Sequence, residues 1–200
     1  MIKFPGFTKE DFDSFVLEDP KLLHQAKEKI RSLVRILSNK LGGYSGIYEY
    51  RKGRFAGYLS KSKNRRENAF FNIQLNADDL SLEFQIENKK LLFKFLENIK
   101  VNALNNFKEL GDYEIAVWDR DKKVCKFYPG YIDKSNIKFL MNKLKSTKFP
   151  IFKFRKIYPR DEARKLLKSP KLIDDLIQSI KIMEVLNKEE KNLQGLNPCN

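Results

Sequence analysis

Leu23, Ala26, Ile30, Leu33, Leu37 and Leu41 recur at three- and four-residue spacing. That is the repeat of a helix burying one stripe, and it predicts a helix about six turns long. Asp19-Pro20 supplies its start: Asp caps free amides, and Pro takes the first helical position, where its missing N–H costs nothing. Gly42-Gly43 supplies its end. A shorter helix is expected before it, opened by Thr8, whose hydroxyl is placed to cap the following amides, with Glu10, Asp11 and Asp13 in the turn that favours negative charge.

From residue 44 to 87 the apolar period changes to two, which predicts strands at 44–51, 54–60, 68–75 and 80–87. Lys52-Gly53 and residues 76–79 read as tight turns, and 61–67 as a longer connection. The third strand sets Ala69, Phe71, Ile73 and Leu75 against Asn68, Asn72 and Gln74, and the fourth sets Leu80, Leu82, Phe84 and Ile86 against Ser81, Glu83, Gln85 and Glu87. One face packs on a core and the other is largely polar, the habit of antiparallel sheets.

A helix over 89–110, broken near Lys100 and stopped by Gly111, is expected next. A hairpin of 113–118 and 124–128 follows, turning at Asp119-Arg120-Asp121. Asp133 or Ser135 caps a further helix with Ile137, Leu140, Met141 and Leu144 inward. Residues 151–158 read as a strand stopped by Pro159, packed by Phe149, Phe152, Phe154 and Tyr158, with Phe152 and Phe154 also placed to line a ligand cavity. Helices over 161–168 and 171–191 close the chain, the second carrying Ile173, Leu176, Ile177, Ile180 and Met183 on one side. Strands clustered rather than alternating with helices give an α+β fold, not a doubly wound sheet. The expected organisation is a single α+β domain over 1–191, with about seven antiparallel strands and C-terminal helices, and a flexible tail over 192–200.

At 200 residues and 42% hydrophobic the chain builds a real core, and the absence of an apolar run near the roughly 20 residues of a bilayer span argues against a membrane. One histidine (His24, off the apolar stripe) and two distant cysteines (Cys125, Cys199) leave no zinc or disulfide framework, so no metal and no cofactor are expected, and a reducing cytoplasm fits. The N-terminus has no signal-peptide pattern. Motifs for nucleotide loops, serine hydrolases and zincins are missing. Asp79, Glu87 and Lys89 match a loose magnesium-nuclease spacing, but strand geometry sets the two carboxylates about 25 Å apart. Gly43-Tyr44-Ser45-Gly46 matches a KH-type GxxG loop, yet joins a helix to a strand and is better explained as a helix stop.

What remains is charge. Lys and Arg number 40 against 26 Asp and Glu, a net of +14, which favours polyanions without naming one. Arg51, Lys52 and Arg54 surround one hairpin turn, and Lys61, Lys63, Arg65 and Arg66 line the next connection. Tyr44, Tyr48 and Tyr50 share one strand face between them. Aromatic faces beside cations are how single-stranded nucleic acids are held, by base stacking and salt-sensitive phosphate contacts. Consecutive turns of a meander lie at opposite strand ends, so these groups need not meet. Further basic rows run through Lys27, Arg31 and Arg35, through Lys134, Lys138 and Lys145, and from Lys153, Arg155 and Lys156 to Arg160, Arg164, Lys165 and Lys168. Solvated amphipathic faces give the same rows.

Residues 6–15, Gly-Phe-Thr-Lys-Glu-Asp-Phe-Asp-Ser-Phe, followed by the long amphipathic helix, resemble the opening of the YktB-like family of uncharacterised proteins. The loop at 61–68 is similar to a basic, arginine-paired stretch of that family through Arg65, Arg66 and Asn68. The resemblance implies an antiparallel sheet curved around a long helix, as in helix-grip or TBP-like folds, and implies no activity.

Three functions are consistent with these residues. The leading expectation is a non-enzymatic domain binding RNA, DNA or another polyanion through Arg51, Lys52, Arg54, Lys61, Lys63, Arg65 and Arg66 with Tyr48 and Tyr50. The alternatives are a small-molecule-binding protein or enzyme with a pocket between sheet and long helix, and an interaction module for an acidic protein. The sequence does not set an oligomeric state.

Overall fold

The structure, a computed structural model, describes residues 4–50, 53–64, 68–98, 113–119, 122–127, 133–167 and 171–194. Outside them lie the second half of the helix expected over 89–110, its stop at Gly111, the Arg120-Asp121 turn, Tyr128, Lys168, Cys199 and the last six residues.

The chain runs α1 (Lys9–Leu17), α2 (Pro20–Leu41), β1 (Tyr44–Tyr50), β2 (Arg54–Ser60), β3 (Phe70–Asn76), β4 (Asp79–Ile86), α3 (Lys89–Asn98), β5 (Tyr113–Asp119), β6 (Lys122–Phe127), α4 (Lys134–Ser146), β7 (Pro150–Pro159), α5 (Arg160–Leu167) and α6 (Lys171–Gln194). The fold is α+β, as expected. The seven strands form an antiparallel sheet in the order β1-β2-β3-β4-β7-β5-β6. The chain divides into two compact units, Met1–Arg65 with Phe70–Glu83 and Lys156–Ser179, and Arg66–Ala69 with Phe84–Arg155 and Ile180–Asn200.

In the first unit α2 packs on β1, β2 and β3. Its buried stripe is Ala26, Ile30, Leu33, Val34 and Leu37, while the expected end members Leu23 and Leu41 are half-buried. Asp19 caps it by accepting the amides of Lys21 and Leu22 at 2.8 and 3.0 Å. Gly42 stops it, donating its amide to Ser38 O at 2.8 Å. Gly57 of β2 lies beneath the helix: a Cβ there would overlap Val34 Cγ1 and sit 3.1 Å from Ile30 Cγ2. Glycine is therefore what lets the helix and strand backbones approach.

On α1, Phe15 meets Phe55 of β2 at 5.2 Å between centroids. Asp11 is buried, and its carboxylate accepts the Thr8 amide and the Lys29 ammonium, each at 2.5 Å. Arg160, at the start of α5, donates to Asp13 at 2.6 Å and stands over the Phe12 ring, tying α5 to α1 across 147 residues of chain.

The polar face of β3 and β4 departs from what alternation alone implies. Asn72, Gln74, Ser81, Glu83 and Gln85 are all buried, as completely as the apolar residues opposite them. For three of them burial is tolerated because they pair with one another: the Glu83 carboxylate accepts the Asn72 and Gln74 amides at 3.2 and 2.6 Å.

In the second unit Phe95 of α3 packs between Phe84 and Phe152, at 6.1 and 5.4 Å. Phe154 stacks on Tyr113 at 5.1 Å. Phe152 and Phe154 are thus buried core residues in ring contact. Phe149, expected to pack the last strand, is instead exposed. It precedes the strand, where its amide donates to Asp119 at 3.0 Å and its ring lies under Lys148. Asp133 caps α4 by accepting the Asn136 amide at 2.8 Å, and Ser135 donates to that same carboxylate at 2.6 Å. At the other end of α4, Lys89 donates to Thr147 O at 2.8 Å, a cation where the last carbonyls favour one.

Candidate polyanion-binding surfaces

Backbone register sets the expected site. Tyr44 pairs with Ser60, Gly46 with Tyr58, Tyr48 with Ala56 and Tyr50 with Arg54. Directly opposed residues share a face, so this face is opposite the one that Gly57 offers to α2. Gly46 makes room on it: a Cβ there would sit 2.6 Å from Tyr58 Cε1, so the Tyr58 ring lies across β1 at that glycine. Tyr44, one step diagonal to Tyr58, is 46% exposed, which leaves a ring that a ligand can reach. The Lys63 ammonium stands 6.0 Å from its centroid. Lys61, which follows Ser60 in the chain, is exposed.

Only part of the predicted site is brought together. Arg54 begins β2 and Ser60 ends it, about 20 Å apart at the usual strand rise, so Arg54 belongs to the far end from Lys61 and Lys63. Arg51, Lys52, Arg65 and Arg66 lie outside the described residues, as do the side chains of Tyr48 and Tyr50.

Several cations of the other basic rows have structural partners. Arg31 pairs with Glu28, Arg160 with Asp13, and Arg164 with Asp161 at 3.4 Å. Lys156 donates to Asp175 at 2.8 Å beside the Tyr158 hydroxyl, which donates to the same carboxylate at 2.5 Å. The open cleft of about 770 Å³ on the first unit is elsewhere, between the start of α1 and α5, lined by Pro5, Phe7, Lys9, Glu10, Arg164 and Lys165. Hydrogen bonding from the Thr8 hydroxyl holds the exposed Glu10 carboxyl below its ordinary range.

The second unit carries a cluster that strand periodicity conceals. Glu114 of β5 is buried, and its carboxylate has Arg155 of β7 at 2.9 Å, Lys126 of β6 at 3.5 Å and Lys123 of β6 at 3.9 Å. Trp118, two residues beyond Ala116 on the same face, has the ammoniums of Lys123 and Lys153 each 5.2 Å from its ring. Residues three apart in a strand point to opposite faces, so Lys123 and Lys126 read as divergent. A bulge reverses this. Val117 pairs with Cys125 but Trp118 with Lys123, making Val124 the extra residue and turning both lysines to the Glu114–Trp118 face. No pattern of apolar positions marks a bulge, and Glu114, Trp118, Lys123 and Lys126 are not among the residues that spacing singles out.

Among the described residues there is no group of three or more His, Cys, Asp or Glu side chains that could hold a metal ion, and His24 is exposed on α2. No helix among them is long and apolar enough to cross a membrane. No protein-family model matches the chain, and no curated protein resembles it in sequence.

Proposed function

We propose that the protein binds single-stranded nucleic acid on the Tyr44–Ser60 end of the β1–β2 hairpin. The observation that carries this reading is the exposed Tyr44 ring with the Lys63 ammonium over it and Tyr58 beside it. An unstacked base lies on an exposed ring at about 1–3 kcal/mol per base, and neighbouring ammoniums take the phosphates on either side. Lys61 and Lys63 supply those charges, and Arg65 and Arg66 extend the same connection in sequence. A relationship to the YktB-like family and a helix-grip or TBP-like arrangement belong to the same proposal; the packing of α2 on β1, β2 and β3 supports them.

Fluorescence anisotropy with single-stranded and duplex RNA and DNA at two salt concentrations tests it. Tight single-strand binding that persists at physiological salt is expected. Tyr44→Ala should weaken it about fivefold to a hundredfold, the range that loss of one stacked base gives. The Lys61→Glu/Lys63→Glu pair should weaken it further and flatten the salt slope. Form-blind binding that vanishes with salt and ignores Tyr44→Ala would reject the reading.

A further inference from the structure

We propose that the outer edge of β1 pairs with β1 of a second copy of this chain, antiparallel about a two-fold axis at Ile47. The sheet order begins at β1 and finishes at β6, so among the described residues no further strand lies beyond either. The two edges are built differently. β6 carries Lys122, Lys123 and Lys126 and a bulge at Val117/Trp118, and lysines and bulges are what keep an edge from taking on another strand. β1 has neither. Its seven residues hold no lysine, arginine or proline, and they pair with β2 in unbroken register, from Tyr44 with Ser60 to Tyr50 with Arg54. Alternate residues of such a strand turn N–H and C=O to the open side. Tyr44 and Ser45 are exposed there, and Gly46 and Ile47 are half-buried.

Three features of the strand single out a copy as its occupant. The first is register. Centred on Ile47, all seven residues find an opposite: Tyr44 with Tyr50, Ser45 with Glu49, Gly46 with Tyr48, and Ile47 with itself. Any other two-fold register leaves residues unpaired. Opposed residues share a face, so tyrosine and glycine positions meet on one side, and Ile47 meets its copy on the side that Gly57, its pair on β2, offers to α2. About six to eight hydrogen bonds join the two strands at that overlap. The second feature is charge. The one charged residue of β1, Glu49, falls opposite Ser45 of the partner subunit, at the end where α2 of that copy finishes with Lys40 in its last turn. The two Glu49 positions stand about 13 Å apart along the strands, so like charges do not face each other. The third feature is what the pairing reunites. Within one hairpin Arg54 is about 20 Å from the end that carries Lys61 and Lys63. Across the pair, one row of backbone positions runs Arg54, Tyr50, then Tyr44 of the partner subunit and Ser60 of the partner subunit. Arg54 is then two strand spacings, about 10 Å, from the partner's Tyr44. A base-stacking and phosphate-binding site at each end of the pair is thereby made from two chains. That consequence rests on the hairpin reading above, whereas the strand pairing does not.

Sedimentation equilibrium of the full chain without nucleic acid, over a range of protein and salt concentrations, measures the mass. A reversible equilibrium between monomer and dimer is expected. Each copy carries a net charge of +14, so salt should strengthen the dimer by screening that repulsion, the opposite of its effect on nucleic-acid binding. Cross-linking reads the register. In a Cys125→Ser/Cys199→Ser background, Ile47→Cys should form a disulfide with its own copy on mild oxidation, because directly opposed residues bring their Cα atoms within disulfide reach. Ser45→Cys, about 13 Å from its counterpart, should cross-link about tenfold more slowly or not at all. A chain that stays monomeric at high concentration and high salt overturns the proposal and leaves the edge to a strand of a different protein. A dimer in which Ile47→Cys and Ser45→Cys cross-link alike is held by another surface and overturns it as well. A dimer with the expected cross-link, in a protein whose oligonucleotide binding ignores Tyr44→Ala, upholds the strand pairing and rejects the hairpin reading, so the two failures are distinct.

Discussion

Arg155 reaches from β7 to place its guanidinium 2.9 Å from the Glu114 carboxylate of β5, where 13% and 5% of the two side chains are exposed. An ion pair this deep contributes less as attraction than it costs when one half is removed. Glu114→Gln should therefore destabilise the protein by about 3–5 kcal/mol, because the guanidinium keeps its charge and loses the opposite one. Urea unfolding measures this; a loss below 1 kcal/mol would mean water screens the pair.

Two glycines of one sheet should respond differently to the same methyl group. At Gly57 a Cβ meets the branched, packed Val34 and Ile30, so Gly57→Ala should cost about 1–3 kcal/mol as overpacking. At Gly46 it meets the distal edge of the Tyr58 ring, which can swing aside. Gly46→Ala should cost less stability, while displacing Tyr58 and weakening any binding at Tyr44. Thermal melts of the two variants, run alongside oligonucleotide binding, separate the effects.

Glu83 is the acceptor for two buried amides. Glu83→Met adds apolar surface but removes that acceptor from Asn72 and Gln74, and should destabilise by about 1–3 kcal/mol. A neutral or stabilised Glu83→Met protein would show that the amides find other partners.

Cys125 is a free thiol whose half-burial pushes its pKa up, an effect that the Val117 backbone hydrogen bond offsets in part. The thiolate is the reactive form. In a Cys199→Ser background, alkylation should be slow at neutral pH, and its rate should rise with a midpoint above the ordinary thiol value of about 8.5, falling back to that value in urea. A native midpoint at the ordinary value would contradict the burial.

Asp133 is held below the ordinary carboxylate range by the Ser135 hydroxyl and the Asn136 amide. Because the folded pKa is the lower one, the stability this cap contributes is present above the ordinary Asp value of about 3.9 and is lost as pH falls through the lowered value. The melting-temperature gap between wild type and Asp133→Ala should be constant near neutrality and close on acidification. A gap that persists at the lowest pH would assign it to helix propensity instead.

Much of the architecture was legible because its signals are local. The Asp19-Pro20 start, the Gly42 stop and the apolar stripe of α2 all lie within a few residues of what they govern. The alternation of β3 and β4 separated their two faces correctly, since the pleat fixes side-chain direction. It could not say that both faces would be buried, because burial depends on what covers a face. Phe149 illustrates the same limit: its type suits a core, and its place one residue before β7 left it exposed.

The candidate sites divide along that line. Tyr44, Lys61 and Lys63 were visible as aromatic and basic residues near one turn, and register alone then separated Arg54 from them. Lys123 and Lys126 were hidden, because one extra residue in β6 inverts the parity from which facing is read.

By itself, then, the sequence determined the α+β class, the hairpin order, the caps and the large positive charge, each a consequence of short-range sterics, hydrogen bonding or simple counting. Tertiary structure decided which charges meet: Arg155 with Glu114 across 41 residues, Arg160 with Asp13 across 147, and two lysines turned to one face by a bulge. Coulomb attraction acts through space at a few ångströms, and distances of that size between strands follow from pairing register and packing, which linear spacing does not encode.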